Sequence, residues 1–432
     1  MKLLCALISA VFLISPLTAQ TSKPSMKSKS AATPAAVHQS AIVVDTHADT
    51  TQRMLDEHYD LTQPLNGGNL NFESAERGNL GAEFFSIWVE PELYEGQYAH
   101  RTLALIDAVY QQAAAHPDRM RMAFSPADIE AAHREHKLAA LMGIEGGHSI
   151  ENDLDLLREY YRLGVRYVTL TWSNSNGWAD SSGTAGPPMP QTREGLTEFG
   201  KDVVYEMNRL GMMVDVSHVS DKTFYRTLIL TRAPVIASHS SARALCDSPR
   251  NMTDDMLRAV RNNGGVVMVN FYSAFLSDDY RKANDAQRPE REAAEKAVIA
   301  KAKQEGKQAD YAQIHAIDME FASKIPRPPF SVLIDHIDHI AKVAGVDHVG
   351  LGSDFDGITS MPEGLDSAAD LPKITEALMA RGYSADDMRK ILGGNLLRAF
   401  SDVERISHEL QSSNVISRPR LTDKQPVDNP TK

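Results

Sequence analysis

Cysteine is nearly absent from this chain: two occur in 432 residues, Cys5 and Cys246. Cys5 falls in an apolar leader, so the processed chain keeps Cys246 alone and an internal disulfide is excluded. Net positive charge is missing as well. Lys and Arg total 45 against 57 Asp and Glu, giving −12, which excludes a nucleic-acid backbone as the expected partner. After the leader no apolar run approaches the about 20 residues that a membrane span requires, so no integral span is expected. A glycine-rich phosphate turn is also lacking. The first β-rich run ends in Thr46-His47-Ala48-Asp49, which argues against an open, doubly wound nucleotide-binding sheet. What remains is an ordinary globular mix, 42% apolar and 24% charged, long enough to be stable through its core without cross-links.

The leader, MKLLCALISAVFLISPLTAQ, has one Lys, an apolar run from Leu3 to Ile14 and small residues ending at Ala19. It reads as a cleavable secretory signal over residues 1–19, predicting export to the periplasm or the medium. Residues 20–37 are rich in Ser, Ala, Lys and Pro without periodicity and read as a flexible linker, and residues 416–432 as a loose tail. The domain is expected over 38–415. Within it, β-rich runs recur at Ala41–Thr46, Gly81–Trp88, Leu138–Ile144, Val165–Thr171, Met212–Ser217, Pro234–Ser238, Val266–Phe271 and His348–Ser353. Amphipathic segments such as Leu196–Leu210 and Asp221–Leu230 separate them. Eight strands alternating with helices predict an α/β fold of the (β/α)8 TIM-type barrel. Ser277–Arg327, between the seventh and eighth runs, is rich in Ala, Glu, Lys and Gln and reads as a helical insertion on the catalytic face: a lid, a homodimer contact or a solvated hairpin.

Barrel enzymes carry their chemistry where strands end at the carboxyl face. Here those ends hold metal-ligand side chains: His47 and Asp49 after the first run, Glu145 after the third, His218 after the fifth and His239 after the sixth. Taken singly, each is more often a turn feature or a hydrogen-bonded core group. Together, three imidazoles and two carboxylates suit two zinc ions sharing a bridging carboxylate. Glu145 follows an apolar run, where an unpaired carboxylate is costly. His336 and His339, three apart in LIDHIDHIAKV, read as a surface helix face; His148 reads as a supporting group and not as a ligand.

The segments VVDTHADT, GIEGGHSI, VDVSHVSDKTF, IASHSSARAL, PRNMTDDML and VGLGSDFDG, in this order, resemble the membrane (renal-type) dipeptidase family from about Ala41 to Phe400. The resemblance implies two Zn2+ per chain, with His47 and Asp49 on one, His218 and His239 on the other, and Glu145 bridging. It implies that Asp354 in GLGSDFDG moves the proton between water and leaving amine, with Asp356 as the alternative carboxylate. It points to Arg250, with its neighbour Asn251, as the receptor of the substrate's terminal carboxylate, for which a guanidinium fork is suited. The implied activity is metal-dependent hydrolysis of small dipeptides, L-Xaa-L-Xaa or L-Xaa-D-Xaa.

Two positions depart from the family pattern. Trp172 in YVTLTWSNSNGW stands where the family has a histidine that steadies the oxyanion, and Phe275 in NFYSAF stands where a tyrosine is expected. Loss of an oxyanion donor costs about 100- to 1000-fold in turnover. Asn174, Asn176 or the Trp172 indole itself are the replacement donors, and both changes make the pocket more apolar. The expectation is altered substrate preference; the alternative is a weakened member that binds small carboxylated ligands. A lactone or phosphotriester hydrolase would want a strand-end lysine bridging the metals, and none is present.

Overall fold

Strand sequences such as LAALMGIE and VVMV are too uniformly apolar to alternate, and every residue in both is buried. Parallel strands covered by helices require that. The computed structural model describes residues 32–183, 194–307, 309 and 311–413, and all elements below belong to the unit that starts at Thr33. Nine strands are present among these residues: β1 (Val43–Ala48), β2 (Leu80–Trp88), β3 (Met120–Met122), β4 (Leu138–Glu145), β5 (Val165–Thr169), β6 (Met213–Asp215), β7 (Val235–Ala237), β8 (Val266–Val269) and β9 (Val349–Leu351). They run in the order β2-β1-β9-β8-β7-β6-β5-β4-β3, and pairing of β2 with β4 closes eight of them into a parallel barrel of the TIM type.

The eight expected runs all became barrel strands, most of them shorter than their apolar sequence. β6 ends at Asp215 because side chains take over there: its carboxylate accepts from Thr169 Oγ1 (2.5 Å), Ser217 N (3.0 Å), Ser238 N (2.8 Å) and Ser238 Oγ (2.6 Å). β3 was not expected; Met-Arg-Met is too short and too polar to announce a strand, and it pairs only with Leu138–Ala140 at the start of β4. β5 pairs with the remainder of that strand, so β3 and β5 follow one another along one edge of β4.

Helices connect the strands and start where a hydroxyl can satisfy free amides. Ser125, Thr197, Ser220 and Thr253 each accept from an amide three residues on, opening Pro126–Arg134, Glu198–Leu210, Asp221–Leu230 and Asp254–Asn263. Alternate strand residues, including Val44, Phe84, Leu141, Tyr167, Met213 and Met268, form one core cluster with Leu396, Ala399, Phe400 and Val403 of the last helix, Asn395–Ser412. Between β8 and β9 lie the helices Asp278–Gln304 and Tyr311–Ala322.

The end of the expected linker is instead ordered. Pro34–Gln39 form a short helix, with Val37 buried and His38 bonded to Thr375 Oγ1 (2.7 Å) and Gly78 O (2.9 Å). The expected signal segment and C-terminal tail lie outside the described residues. Among the described residues no helix is long and apolar enough to cross a membrane.

Candidate active site

The five expected ligand residues converge at the carboxyl ends of the strands. His47 Nε2 lies 3.2 Å from Glu145 Oε2 and 3.4 Å from Asp49 Oδ2. On the other oxygen of Glu145, His218 Nε2 approaches to 2.8 Å and His239 Nε2 to 3.4 Å, and those two nitrogens are 2.9 Å apart. The rings of His47 and His239 lie 3.9 Å apart between centroids. Glu145 thus stands between two groups of donors, one oxygen facing each. His47, Asp49 and Asp354 form a further set whose ligand atoms lie within 4.8 Å of one another.

Hydrogen bonding decides which atoms face inward. Tyr167 reaches across the barrel from β5, its hydroxyl donating to Thr46 O (3.0 Å) and accepting from His47 Nδ1 (2.9 Å). A carbonyl can only accept, so the hydroxyl hydrogen goes to Thr46 and His47 carries its hydrogen on Nδ1. Ser238 does the same for His239: its Oγ donates to the Asp215 carboxylate and accepts from His239 Nδ1 at 2.8 Å. In the neutral form both imidazoles therefore point Nε2 lone pairs at carboxylate oxygens or at another nitrogen. A proton on His47 Nε2 toward Glu145 and one on His218 Nε2 toward Glu145 or His239 can fill these gaps, and with those protons gone the same atoms are a donor set into which divalent ions fit. Among the described residues His47 Nε2 and Asp49 Oδ1 have no partner in hydrogen-bond geometry, although both are buried.

The electrostatics are those of cation seats. Burial opposes charge on His47, yet Tyr167, Glu145 and Asp49 outweigh it and raise its pKa well above the imidazole range. Burial pushes His218 down to about 3, and His239 well below its usual value, each with help from neighbouring positive charge. Burial opposes the charge of Glu145 too, but His47, His218 and His239 hold it well below the usual carboxylate range.

Local backbone strain marks the same residues. His218 (φ 64°) and Asp354 (φ 66°) are buried, non-glycine residues in the left-handed region, a conformation kept only where surrounding contacts enforce it. The His218 carbonyl is held by Thr171 Oγ1, Ser181 Oγ and Ser182 N, and the Asp354 amide donates to His47 O at 3.0 Å. After Glu145 the chain turns through Gly146 (φ 102°), where a Cβ would sit 2.4 Å from the His148 ring.

Asp354 and Asp356 separate cleanly. Asp356 is consumed by Thr50 Oγ1 (2.5 Å), Asn69 N (2.7 Å) and Arg53 (3.7 Å), so it is a structural carboxylate. Asp354 has one side-chain partner, Asn270 Nδ2 (2.8 Å), and burial raises its pKa to about 7, with Asp49 and Glu145 adding and His47 opposing. Arg250 is buried and has no carboxylate within ion-pair distance among the described residues. It lies over the Phe275 ring (5.2 Å), donates to His239 O (3.1 Å), and leaves Nε without a partner. Asn251 spends its amide group on Cys246 O (2.9 Å) and Phe275 O (2.8 Å), which braces the Arg250 loop and leaves no amide hydrogen for a ligand.

Trp172 stands beside the ligands, its ring 6.3 Å from that of His218. Asn176 donates one amide hydrogen to Leu170 O and accepts from Trp178 N and Ala179 N, which ties it to its own loop; Asn174 is buried, and its Oδ1 has no hydrogen-bond partner among the described residues. His336 corrects an expectation: it is buried, not on a surface face. Its Nδ1 accepts from Ala242 N and its Nε2 donates to Leu276 O, both at 3.1 Å, tying the loop after β7 to that after β8. His339 pairs with Asp254 (2.7 Å), and His148 donates to Val89 O (2.8 Å) without touching a ligand. Tyr167, Ser238 and Asp215 were not singled out in the sequence, where each looks like an ordinary strand residue.

Residues 31–414 match a model of the membrane dipeptidase family, peptidase family M19. The chain belongs to the membrane dipeptidase family. It is 32% identical over 386 residues to Dipeptidase 3 of Homo sapiens, covering 88% of this chain and 69% of that one. A crystal structure of a metallo peptidase from Rhodobacter sphaeroides, liganded with a phosphinate mimic of the dipeptide L-Ala-D-Ala, is 27% identical with a TM-score of 0.67, covering 84% of this chain and 99% of the other. A structure of a probable dipeptidase from Pseudomonas aeruginosa is 25% identical with a TM-score of 0.74, covering 86% and 98%. As a member of a metallopeptidase family, this chain is expected to carry metal, and His47 with Glu145 and His239, and His47 with Asp49 and Asp354, are the groups of described residues whose ligand atoms lie close enough together to hold an ion.

Proposed function

We propose that this member of the family is an exported zinc dipeptidase whose centre takes two Zn2+, one on His47 and Asp49, one on His218 and His239, with Glu145 shared. The observation that carries the reading is the pair of Glu145 oxygens, one facing Nε2 of His47 at 3.2 Å and the other Nε2 of His218 and His239 at 2.8 and 3.4 Å. Metal held there would supply Lewis-acid chemistry, making the attacking water more acidic and polarising the scissile carbonyl. Asp354 takes the proton from that water and delivers it to the leaving amine, a task suited to a carboxyl held near neutrality. Arg250, buried with no carboxylate partner, receives the substrate's terminal carboxylate. That carboxylate lies one residue from the cut, which restricts the site to dipeptides, and the L-Ala-D-Ala mimic bound by a relative supports including substrates with a carboxyl-side D-residue.

The test is metal analysis of the purified protein with turnover of L,L and L,D dipeptides, with and without chelator. About two zinc per chain and chelator-sensitive release of amino acids are expected; an active metal-free protein would end the scheme. A second reading, a weakened member that binds small carboxylated ligands, is favoured by Trp172 replacing the family's histidine while Asn176 is tied to Leu170 O, Trp178 N and Ala179 N. Tight dipeptide binding without metal-dependent release would decide for it.

A further inference from the structure

Asn270 directly follows β8 and is fully buried, and the two ends of its side-chain amide have separate tasks. Its Oδ1 accepts from Tyr272 N at 2.5 Å, and its Nδ2 donates to Asp354 Oδ2 at 2.8 Å. A backbone amide can only donate, so the orientation is settled: the Asn270 oxygen faces Tyr272 and its hydrogens face Asp354. The main chain of Asn270 is pinned to the loop after β7, its amide donating to Ser240 O (3.4 Å) and its carbonyl accepting from Ser241 Oγ (3.3 Å). The donor that meets Asp354 therefore comes from a fixed point.

Asp354 depends on such a point. Its main chain is locked by a left-handed φ and by its bond to His47 O, but the last torsion of an aspartate is broad and two-fold, so a carboxylate without a partner turns. Asn270 is its one side-chain partner among the described residues. With Oδ2 held, Oδ1 lies on the side of the ligands: a Cβ at Gly357 would sit 2.5 Å from Asp354 Oδ1 and 2.1 Å from Asp49 Oδ2, so both oxygens border one small space that glycine leaves open. An oxygen already accepting an N–H is the poorer seat for a proton, which leaves Oδ1 to carry it. We propose that Asn270 is a positioning residue for hydrolysis, holding Asp354 Oδ2 so that Oδ1 is the oxygen that takes and releases the proton. This rests on the dipeptidase reading and deepens it. The proton balance is simple: water loses a proton as Oδ1–H forms, Oδ1–H breaks as the N–H of the leaving amine forms, and Asp354 returns to a carboxylate while Asn270 keeps both hydrogens. A misplacement of about 1 Å at such a group costs about 100-fold in rate, so the loss of this one bond should be measurable.

The experiment uses Asn270→Ser in the zinc-loaded full chain. A serine hydroxyl can still accept from the amide two residues on, which keeps the turn, but it is too short to reach Asp354. Asn270→Thr, with the same hydroxyl, replaces it should the serine variant not fold. The expected result is a fall in kcat of about 10- to 100-fold with KM and zinc content unchanged within about twofold. In an Asp354→Ala background the same substitution should change the residual rate by less than about twofold, because the group it positions is gone. An unchanged kcat, a loss carried by KM or by zinc, or an equal further loss in the Asp354→Ala background overturns the proposal. A crystal structure of the zinc-loaded variant reads the geometry without turnover: the Asp354 carboxylate should have rotated away from its parent orientation, and an unmoved carboxylate overturns the proposal. Should the parent cleave no dipeptide, the hydrolysis reading fails separately, and the carboxylate orientation still decides whether Asn270 sets it.

Discussion

The Tyr167 hydroxyl accepts from Nδ1 of His47 at 2.9 Å, from a strand on the far side of the barrel. A group on another strand thereby chooses the tautomer of an imidazole proposed to bind metal. Tyr167→Phe should leave the fold intact and weaken zinc about 10- to 100-fold, the usual effect of removing a partner behind a ligand. Chelator competition reads this directly, and excess zinc should restore activity.

Gly143 is the register partner of Tyr167, and a Cβ there would sit 1.9 Å from the phenol ring. Because the obstruction is a rigid ring in a packed barrel, Gly143→Ala should cost about 1–3 kcal/mol in denaturant unfolding. It should also reproduce part of the zinc loss of Tyr167→Phe, since the ring must shift away from His47.

Glu145 and Asp354 should part company when altered. Glu145→Gln removes the charge that both donor groups face, and both ions should be lost from the purified protein. Asp354→Asn should retain about two zinc and lose about 100- to 10,000-fold in kcat, the range for an absent proton carrier. Full activity in Asp354→Asn would assign the proton to another group.

Arg250→Met removes the buried guanidinium with little change in volume. For free dipeptides kcat/KM should fall about 30- to 1000-fold, because the substrate carboxylate is then buried unpaired. Dipeptides amidated at the carboxyl end should lose far less, and equal losses would remove Arg250 from substrate recognition.

The barrel was legible because eight apolar runs alternate with amphipathic segments, and the convergence of the five candidate ligand residues was legible because strand ends are where barrels gather such side chains. The Thr46–Tyr167–His47 relay was not: tyrosine in YVTLTW has nothing to distinguish it from packing, since its partner is 120 residues away. His336 was misplaced for a related reason. Helical spacing gives the face of a side chain but not what covers that face, and here the loops after β7 and β8 cover it. The choice of Asp354 over Asp356 came from the family pattern and is independently supported by Asp356 being fully bonded.

The two bonds of His336 require one bare and one hydrogen-bearing nitrogen, so the ring serves only while neutral, and burial lowers its pKa to about 4. Its contribution to stability is complete above the unfolded pKa near 6.5 and is lost as acidity increases through the folded one. Charging it turns the acceptor facing Ala242 into a second donor and unfastens two neighbouring rim loops from each other. Acid near pH 4 should therefore loosen the grip on substrate carboxylate before the barrel unfolds, seen as a rising KM while circular dichroism stays unchanged, and His336→Leu, which can make neither bond, should show that loosening already at neutral pH.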